Sequence, residues 1–360
     1  MHGEIKRILI VGGGTSGWIT ACILSKHLKG IEITLVESSD IPTVGVGEAT
    51  IIHMNDFLNA MGLKEENWMP FCNATYKEGI HFRDFYRKGT QYWHPFQHIN
   101  PELTDFWIHK YYREQLSVDS YFDYCYSNTV RNRSNRIDLE SKRNRDGAGG
   151  FLYTYHLDAG LFADHLKKFV AIPAGVIHIV DDVTDARLAE DGSIAGIETT
   201  SNGTLTADLY VDCSGFKSML LGGKLQEPYL DYNHRVPNDR AIAVRVPYQN
   251  RDREMHPYTR ATALDAGWVW NIPLWHRIGT GYVYSSQYKS AEEAELELRQ
   301  HLGEERVKDL NCHHITMKIG KFEKTWSKNV VAIGLAGGFI EPLESTGIEL
   351  AQLGAEFLCR

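Results

Sequence analysis

Apolar and polar positions along the chain follow two periods, one helical and one strand-like. A short β-branched run, Ile5 to Val11, ends in glycines and leads into Trp18 to His27, where apolar residues recur at helical spacing. A second apolar run, Ile31 to Val36, completes a strand–helix–strand unit at the N-terminus. Residues 55 to 125 are aromatic-rich and mixed, and 131 to 150 are basic and polar and close on glycines, the pattern of an exposed loop. Leu157 to Val170 reads as a helix. The runs Val176–Val180, Ile194–Thr199 and Leu205–Val211 alternate with period two and are punctuated by Asp191-Gly192 and Asn202-Gly203. Those dipeptides favour type I′ hairpins, so an antiparallel meander is expected here. Further strands are expected within 240–288, a polar helix over Ala291–His301, a buried strand over Val330–Ile333 and a helix from Ile348 to Leu358. No internal repeat is visible.

Length and composition narrow the class. The chain has 360 residues, 43% of them hydrophobic and 23% charged, with a mean hydropathy of −0.32, values of an ordinary globular protein. That length allows about two domains and a sizeable core without staples. The longest apolar stretch, Val330 to Ile340, is broken by glycines and is too short to span a bilayer, so no membrane partner is expected. The first apolar run goes straight into glycines and lacks the order of a signal peptide. A net charge of −8 gives no nucleic-acid footprint. The six cysteines are too scattered for a zinc knuckle or a redox pair, and the sixteen histidines include no HExxH. Reduced thiols, no metal site and a cytoplasmic location are the expectation.

Six motifs carry chemistry. Gly12-Gly13-Gly14-Thr15-Ser16-Gly17 sits between a strand and a helix, where backbone N–H groups and the helix N-terminus can receive a pyrophosphate. Glu37, after the second strand, can accept hydrogen bonds from an adenosine ribose. Leu209 to Gly215 and Ile333 to Gly338 are strands that end in small residues and return to the nucleotide fold after the meander. This arrangement fits FAD in a long groove better than NAD. Gly45-Val46-Gly47-Glu48-Ala49-Thr50 is a loop able to lie close to a flat ring system. Trp268-Val269-Trp270-Asn271-Ile272-Pro273 places two tryptophans on one face of a strand, which by itself is compatible with plain core. Glu341 to Ile348 joins a strand to a helix start, where free N–H groups suit an anion. Ser345 could instead cap the helix, and Glu344 would be a poised carboxylate beside it. Lys77, by residue type alone, is a solvated surface charge.

Together, and in this order, these motifs resemble the flavin-dependent halogenases, above all the tryptophan halogenases, over the whole chain. The WxWxIP run at 268–273 is that family's hallmark. The resemblance implies an α/β fold, an FAD-binding Rossmann-type fold of the two-dinucleotide-binding-domain, aromatic-hydroxylase-like kind. It would carry an antiparallel meander insert and a substrate-binding sheet and helical region. It implies one module over 1–360, with FAD-binding parts at about 1–55, 155–220 and 325–360 and substrate-facing parts at about 56–154 and 221–324.

The resemblance also implies the site. Gly12, Gly13, Gly14, Thr15, Ser16, Gly17, Glu37, Ser38, Ile41, Glu48, Ala49, Val183, Leu335 and Ile348 would contact FAD. Ser345, Thr346 and Gly347 would hold a halide, chloride or bromide, beside it. Lys77 and Glu344 would be catalytic, and His94 and Phe96 would sandwich the substrate's indole with Glu344 alongside. In such enzymes a separate NAD(P)H-dependent flavin reductase supplies FADH2. Dioxygen and halide then yield hypohalous acid, which is relayed to the lysine for electrophilic halogenation of tryptophan or a related aromatic small molecule. The hallmark tryptophans would wall off the flavin. A homodimer is compatible with the sequence.

Two departures stand out. Ile52 replaces the proline common after GEAT-Ile. The family continues into a further helical region beyond the segment at which this chain ends, so the sequence reads as C-terminally truncated. Two alternatives stay open at this level: an FAD-dependent aromatic monooxygenase (a hydroxylase) on the same fold, and a catalytically inactive FAD-binding fragment.

Overall fold

The computed structural model describes residues 4–40, 45, 47–96 and 153–360. Ile41, Val46 and the basic stretch 131–150 lie outside the described residues.

A parallel sheet organises the nucleotide-binding half. Its strand order is Trp326–Ser327, Val330–Ala332, Leu209–Asp212, Arg7–Val11, Glu32–Glu37, Ile177–Val180. Only the first pair is antiparallel. Arg7–Val11 lies centrally, with Ile8 opposite both Leu209 and Ile33. Its near-continuous apolar run follows from burial on both faces. Ile8, Ile10, Ile33, Leu35 and Val211 pack with Trp18, Ile19 and Ile23 of the helix Thr15–His27. Leu9, Val11, Val36 and Tyr210 point the other way, onto Leu220, Leu221, Ile194 and Ile197. The helix Thr15–His27 is buried continuously from Gly17 to Leu24, sandwiched between this sheet and the helices Ala159–Leu166 and Gly347–Leu358, which is why its sequence is apolar all round.

The expected meander is corrected in part. Val183–Leu188, Ile194–Thr199 and Thr204–Leu205 form the antiparallel unit. The run at 176–180 instead forms the edge strand Ile177–Val180, parallel to Glu32–Glu37. Leu205–Val211 is split, and its second part, Leu209–Asp212, joins the parallel sheet. Val183–Leu188 buries only Ala186, so its alternation was too weak to read as a strand. The first hairpin is also not type I′. Of the Asp191-Gly192 pair only Gly192 has a positive φ, of 76°. Its N–H donates to Ala189 O at 2.9 Å, a type I turn followed by a left-handed glycine. The helix expected over 157–170 begins later, at Ala159, because Leu157 closes the strand Thr154–Leu157 and Asp158 caps the helix by accepting from Leu161 N at 3.3 Å.

The second half is a seven-stranded sheet in the order His313–Thr316, Arg240–Val246, Ile278–Tyr284, Gly267–Pro273, Thr259–Leu264, Gly79–Arg83, Gln91–Pro95. One face carries Ile242, Val244, Val269 and Tyr282 against Ala294 and Leu298 of the helix Ala291–Leu302. That helix is polar outside and starts with a Ser290–Glu293 capping box. The other face carries Ile80, Phe82, Ala261, Trp268 and Val283 and packs toward Phe216, Phe339 and Leu343 of the first half. A small antiparallel sheet, Glu48–Ala49, Thr154–Leu157, Thr75–Lys77, also joins segments from distant parts of the sequence. Among the described residues no helix is long and apolar enough to cross a membrane. No group of three or more potential metal-ligating side chains is found among them.

Candidate active site

The glycine loop has the geometry a dinucleotide needs. Gly12 has φ +112°, and a Cβ there would lie 2.4 Å from Cys213 O. A Cβ on Gly13 would fall 1.6 Å from a Glu37 carboxylate oxygen, so Glu37 lies directly over this glycine. Over Gly14, by contrast, nothing stands within 4 Å. Gly14 is the helix N-cap, makes no side-chain cap bond and is followed by no acidic residue in the first turn. An open space above uncapped N–H groups at the positive end of a helix fits a pyrophosphate.

Glu37 accepts from His178 Nε2 at 2.8 Å and from Lys167 Nζ at 3.4 Å, which fixes its carboxylate at the strand end. Ser38 follows it, half-buried, its Oγ accepting from Asp40 N. Asp181 N donates to Glu37 O, which brings half-buried Val183 to the same strand end. Gly334 approaches Ser16 so closely that a Cβ would lie 2.3 Å from its Oγ, and this seats half-exposed Leu335 beside the glycine loop. Thr15 Oγ1 donates to Ala159 O. Ile348 lies in the first turn of the helix Gly347–Leu358, which packs on the helix carrying Thr15 and Ser16. Glu48 and Ala49 pair with Leu157 and His156, and burial together with Asp158 pushes the Glu48 carboxyl up to about 7.

Lys77 overturns the reading from residue type. It is fully buried. Its Nζ donates to Thr50 O at 2.9 Å and to Ser345 Oγ at 3.1 Å, and it stands 5.1 Å from the centre of the Phe96 ring. It therefore joins the GEAT loop to the segment before the last helix. The surrounding wall is polar. Thr50 and Thr154 share a 2.6 Å hydroxyl contact, and His156 bridges Thr75 and Thr259. Burial lowers the Lys77 ammonium to about 7 from an ordinary 10.5, with Glu344 opposing the shift.

Burial of this ammonium has a consequence for stability. Between pH 7 and 10.5 the unfolded chain holds a proton on Lys77 that the folded chain has shed. The fold therefore gains on unfolding as pH rises through that window. Relative to Lys77→Met, wild-type stability is expected to climb by about 1.4 kcal/mol per pH unit above pH 7. Urea melts at pH 7, 8 and 9 measure this, and parallel curves for the two proteins would contradict it.

The carboxylate beside the lysine is built differently. His94 Nδ1 donates to Glu344 Oε2 at 2.9 Å. That bond holds the Glu344 carboxyl below its ordinary range, against desolvation, and raises the His94 pKa. Both side chains are about half exposed, so the pair is open to solvent. The His94 and Phe96 rings stand 6.4 Å apart at 66°. They form two walls of a corner. Tyr92, on the same face of the strand as His94, stacks on Phe82 at 4.9 Å and has its phenol pKa raised by burial and by Glu344.

Ser345 neither caps the final helix nor offers its N–H. It has φ +62°, its N–H donates to Pro342 O, and its hydroxyl receives Lys77. The N-cap is Thr346, without a side-chain cap bond, and nothing stands within 4 Å of a Cβ on Gly347. The helix thus begins beyond Ser345, with Thr346 and Gly347 at its uncapped N-terminus, and the Ser345 hydroxyl is taken up by Lys77. Thr50, Ser345 as a lysine partner, and the Thr75–His156–Thr259 bridge had no signal in sequence spacing.

Comparison with known proteins identifies the family. The tryptophan halogenase family model matches residues 7–360. Tryptophan 6-halogenase SttH of Streptomyces toxytricini is 42% identical, over 95% of this chain and 69% of its own length. Tryptophan 7-halogenase RebH of Lentzea aerocolonigenes is 39% identical, over 97% of this chain and 68% of its own length. The solved structure of BrvH, a flavin-dependent halogenase from Brevundimonas sp. BAL3, superposes with a TM-score of 0.86 at 36% identity, over 99% of this chain and 71% of that one. The chain belongs to the tryptophan halogenase family of flavin-dependent enzymes.

Proposed function

We propose that the protein is an FADH2-dependent halogenase acting on tryptophan or a related indole, with Lys77 delivering electrophilic halogen and Glu344 assisting at the ring. The observation that carries this is a fully buried lysine held by both loops, GEAT and EPLESTG, beside the corner of His94, Phe96 and Glu344. An aromatic hydroxylase on this fold has no use for such a lysine, and a non-catalytic flavin binder gains nothing from the cost of burying it.

FAD, bound in reduced form and supplied by a separate reductase, contributes with dioxygen the two-electron oxidant for halide. The chain's own residues do the rest. The Gly12–Gly17 loop and Glu37 bind the dinucleotide, with Ser38, Ile41, Val183, Leu335, Ile348, Glu48 and Ala49 along its length. The FAD-binding parts correspond to about 1–55, 155–220 and 325–360, and the substrate-facing parts to about 56–154 and 221–324. Thr346 and Gly347 hold halide by their N–H groups. Lys77, half protonated near neutrality, either donates a hydrogen bond to hypohalous acid or attacks it as a neutral amine. Attack of a ring carbon on the halogen leaves a cationic ring and releases hydroxide from hypohalous acid or, where the amine has already taken up the halogen and expelled that hydroxide, the neutral Lys77 amine. Glu344, kept ionised by His94, stabilises that cation and takes the ring proton, so Ar–H and HOX become Ar–X and water.

The halide site has its own test. Gly347→Ala places a methyl in the open space over the N–H pair while leaving the helix intact. It is expected to raise the halide KM by about tenfold, the loss of roughly one charge-assisted hydrogen bond, with FAD affinity unchanged. An unaltered halide KM would remove this pair from the anion site. The function itself is tested by product mass, using the chain with FAD, a flavin reductase, NADH, oxygen, bromide and a panel of indoles. A product carrying the bromine isotope pair is expected. A product heavier by one oxygen would replace the halogenase with the hydroxylase.

A further inference from the structure

We infer that Trp268 is a positioning residue, acting through the hydrogen bond from its indole N–H to Glu341, which anchors the loop that carries Glu344, Ser345, Thr346 and Gly347. The inference rests on the halogenase reading and adds a role for the first hallmark tryptophan beyond that of a wall.

Trp268 lies in the strand Gly267–Pro273 and is 6% exposed. Its Nε1–H donates to Glu341 Oε1 at 2.9 Å. The other Glu341 oxygen accepts from Asn238 Nδ2 at 3.5 Å. Burial raises the Glu341 carboxyl, while the Trp268 indole first, then the Asn238 amide and the Leu343 N–H, hold it down, so the indole bond meets a desolvated acid. Glu341 opens a segment without regular helix or strand, running from the strand Gly338–Phe339 to the helix Gly347–Leu358.

That segment holds Ser345 in a left-handed conformation, unusual for a serine, which persists only where neighbours over-determine it. Its other side-chain anchors are Lys77 on Ser345 and His94 on Glu344. Both are groups whose protonation or contacts change when substrate reacts. The ties to Glu341, the short one from the indole and the longer one from Asn238, take no part in the chemistry, and they hold the start of the loop while the far end enters the helix. A wall requires only the ring. An anchor requires the N–H, so Trp268→Phe separates the two roles.

The test uses the FAD-loaded protein and Trp268→Phe, Glu341→Ala, Glu341→Gln and the pair Trp268→Phe with Glu341→Ala. Bromide affinity is read by calorimetry on the oxidised, FAD-bound protein, and the share of reduced flavin recovered as brominated indole is read separately. Trp268→Phe is expected to weaken bromide binding about tenfold and to divert reduced flavin to peroxide and free hypobromous acid. Glu341→Gln keeps a carbonyl acceptor for the indole and should stay nearer wild type than Glu341→Ala. The double variant should be no worse than its worse single, as expected for two ends of one bond. The downfield indole N–H resonance lost in Trp268→Phe should also shift in Glu341→Ala. Wild-type bromide affinity and coupling in Trp268→Phe, or effects that multiply in the double variant, would overturn the inference. If the wild type makes no brominated product, the functional reading fails instead, while the bromide affinities and the indole resonance still decide the anchor. Should Glu341→Ala not fold, Trp268→Phe and Glu341→Gln carry the same decision.

Discussion

Lys77→Ala is expected to abolish regiospecific halogenation while hypohalous acid continues to form. The substitution removes the ammonium held between Thr50 O and Ser345 Oγ but leaves the N–H groups of Thr346 and Gly347 in place. Oxidant production therefore persists, and its delivery is lost. Losing a positioned nucleophile or proton donor costs on the order of 10³-fold in product formation. Liquid chromatography with mass spectrometry counts the product, and a halogen scavenger in the buffer counts the escaped oxidant. Retention of one brominated isomer at wild-type rate would remove Lys77 from the mechanism.

Glu344→Gln is expected to lower kcat by roughly 10²- to 10³-fold with little change in substrate KM. The amide keeps the shape and an acceptor for His94 but cannot stabilise a ring cation as a carboxylate does or take its proton. His94 supplies an internal check. Its pKa is raised chiefly by the hydrogen bond to Glu344, so it should fall toward the ordinary value in the variant, which a proton NMR titration records. A drop in kcat without a drop in the His94 pKa would mean that the pair in the structure is not the pair that acts in solution.

The parts of the molecule visible in sequence are those where one residue type has one physical reason. Gly12, Gly13 and Gly17 stand where any Cβ would collide, with Cys213 O, the Glu37 carboxylate and Gly12 O respectively. The central strand Arg7–Val11 is apolar because it is covered on both faces. The position of Lys77 in a site was legible only through the family motif. Its partners are a backbone carbonyl 27 positions away and a serine hydroxyl 268 positions away, and neither separation follows a period. The same holds for Glu341, whose indole partner lies 73 residues earlier. The strand Val183–Leu188 was hidden by charged residues on a half-open face, and Ser345 looked like a cap until its left-handed backbone placed the hydroxyl on Lys77.

The central claim is that oxidised halogen passes inside the protein to Lys77 and then to the ring. It is tested most directly by running the wild-type reaction with excess monochlorodimedone, which captures free hypobromous acid. The account predicts an undiminished yield of a single brominated indole. Loss of that product to the scavenger, or a mixture of ring isomers in its absence, would show that the halogen reacts in bulk solution and would contradict the account.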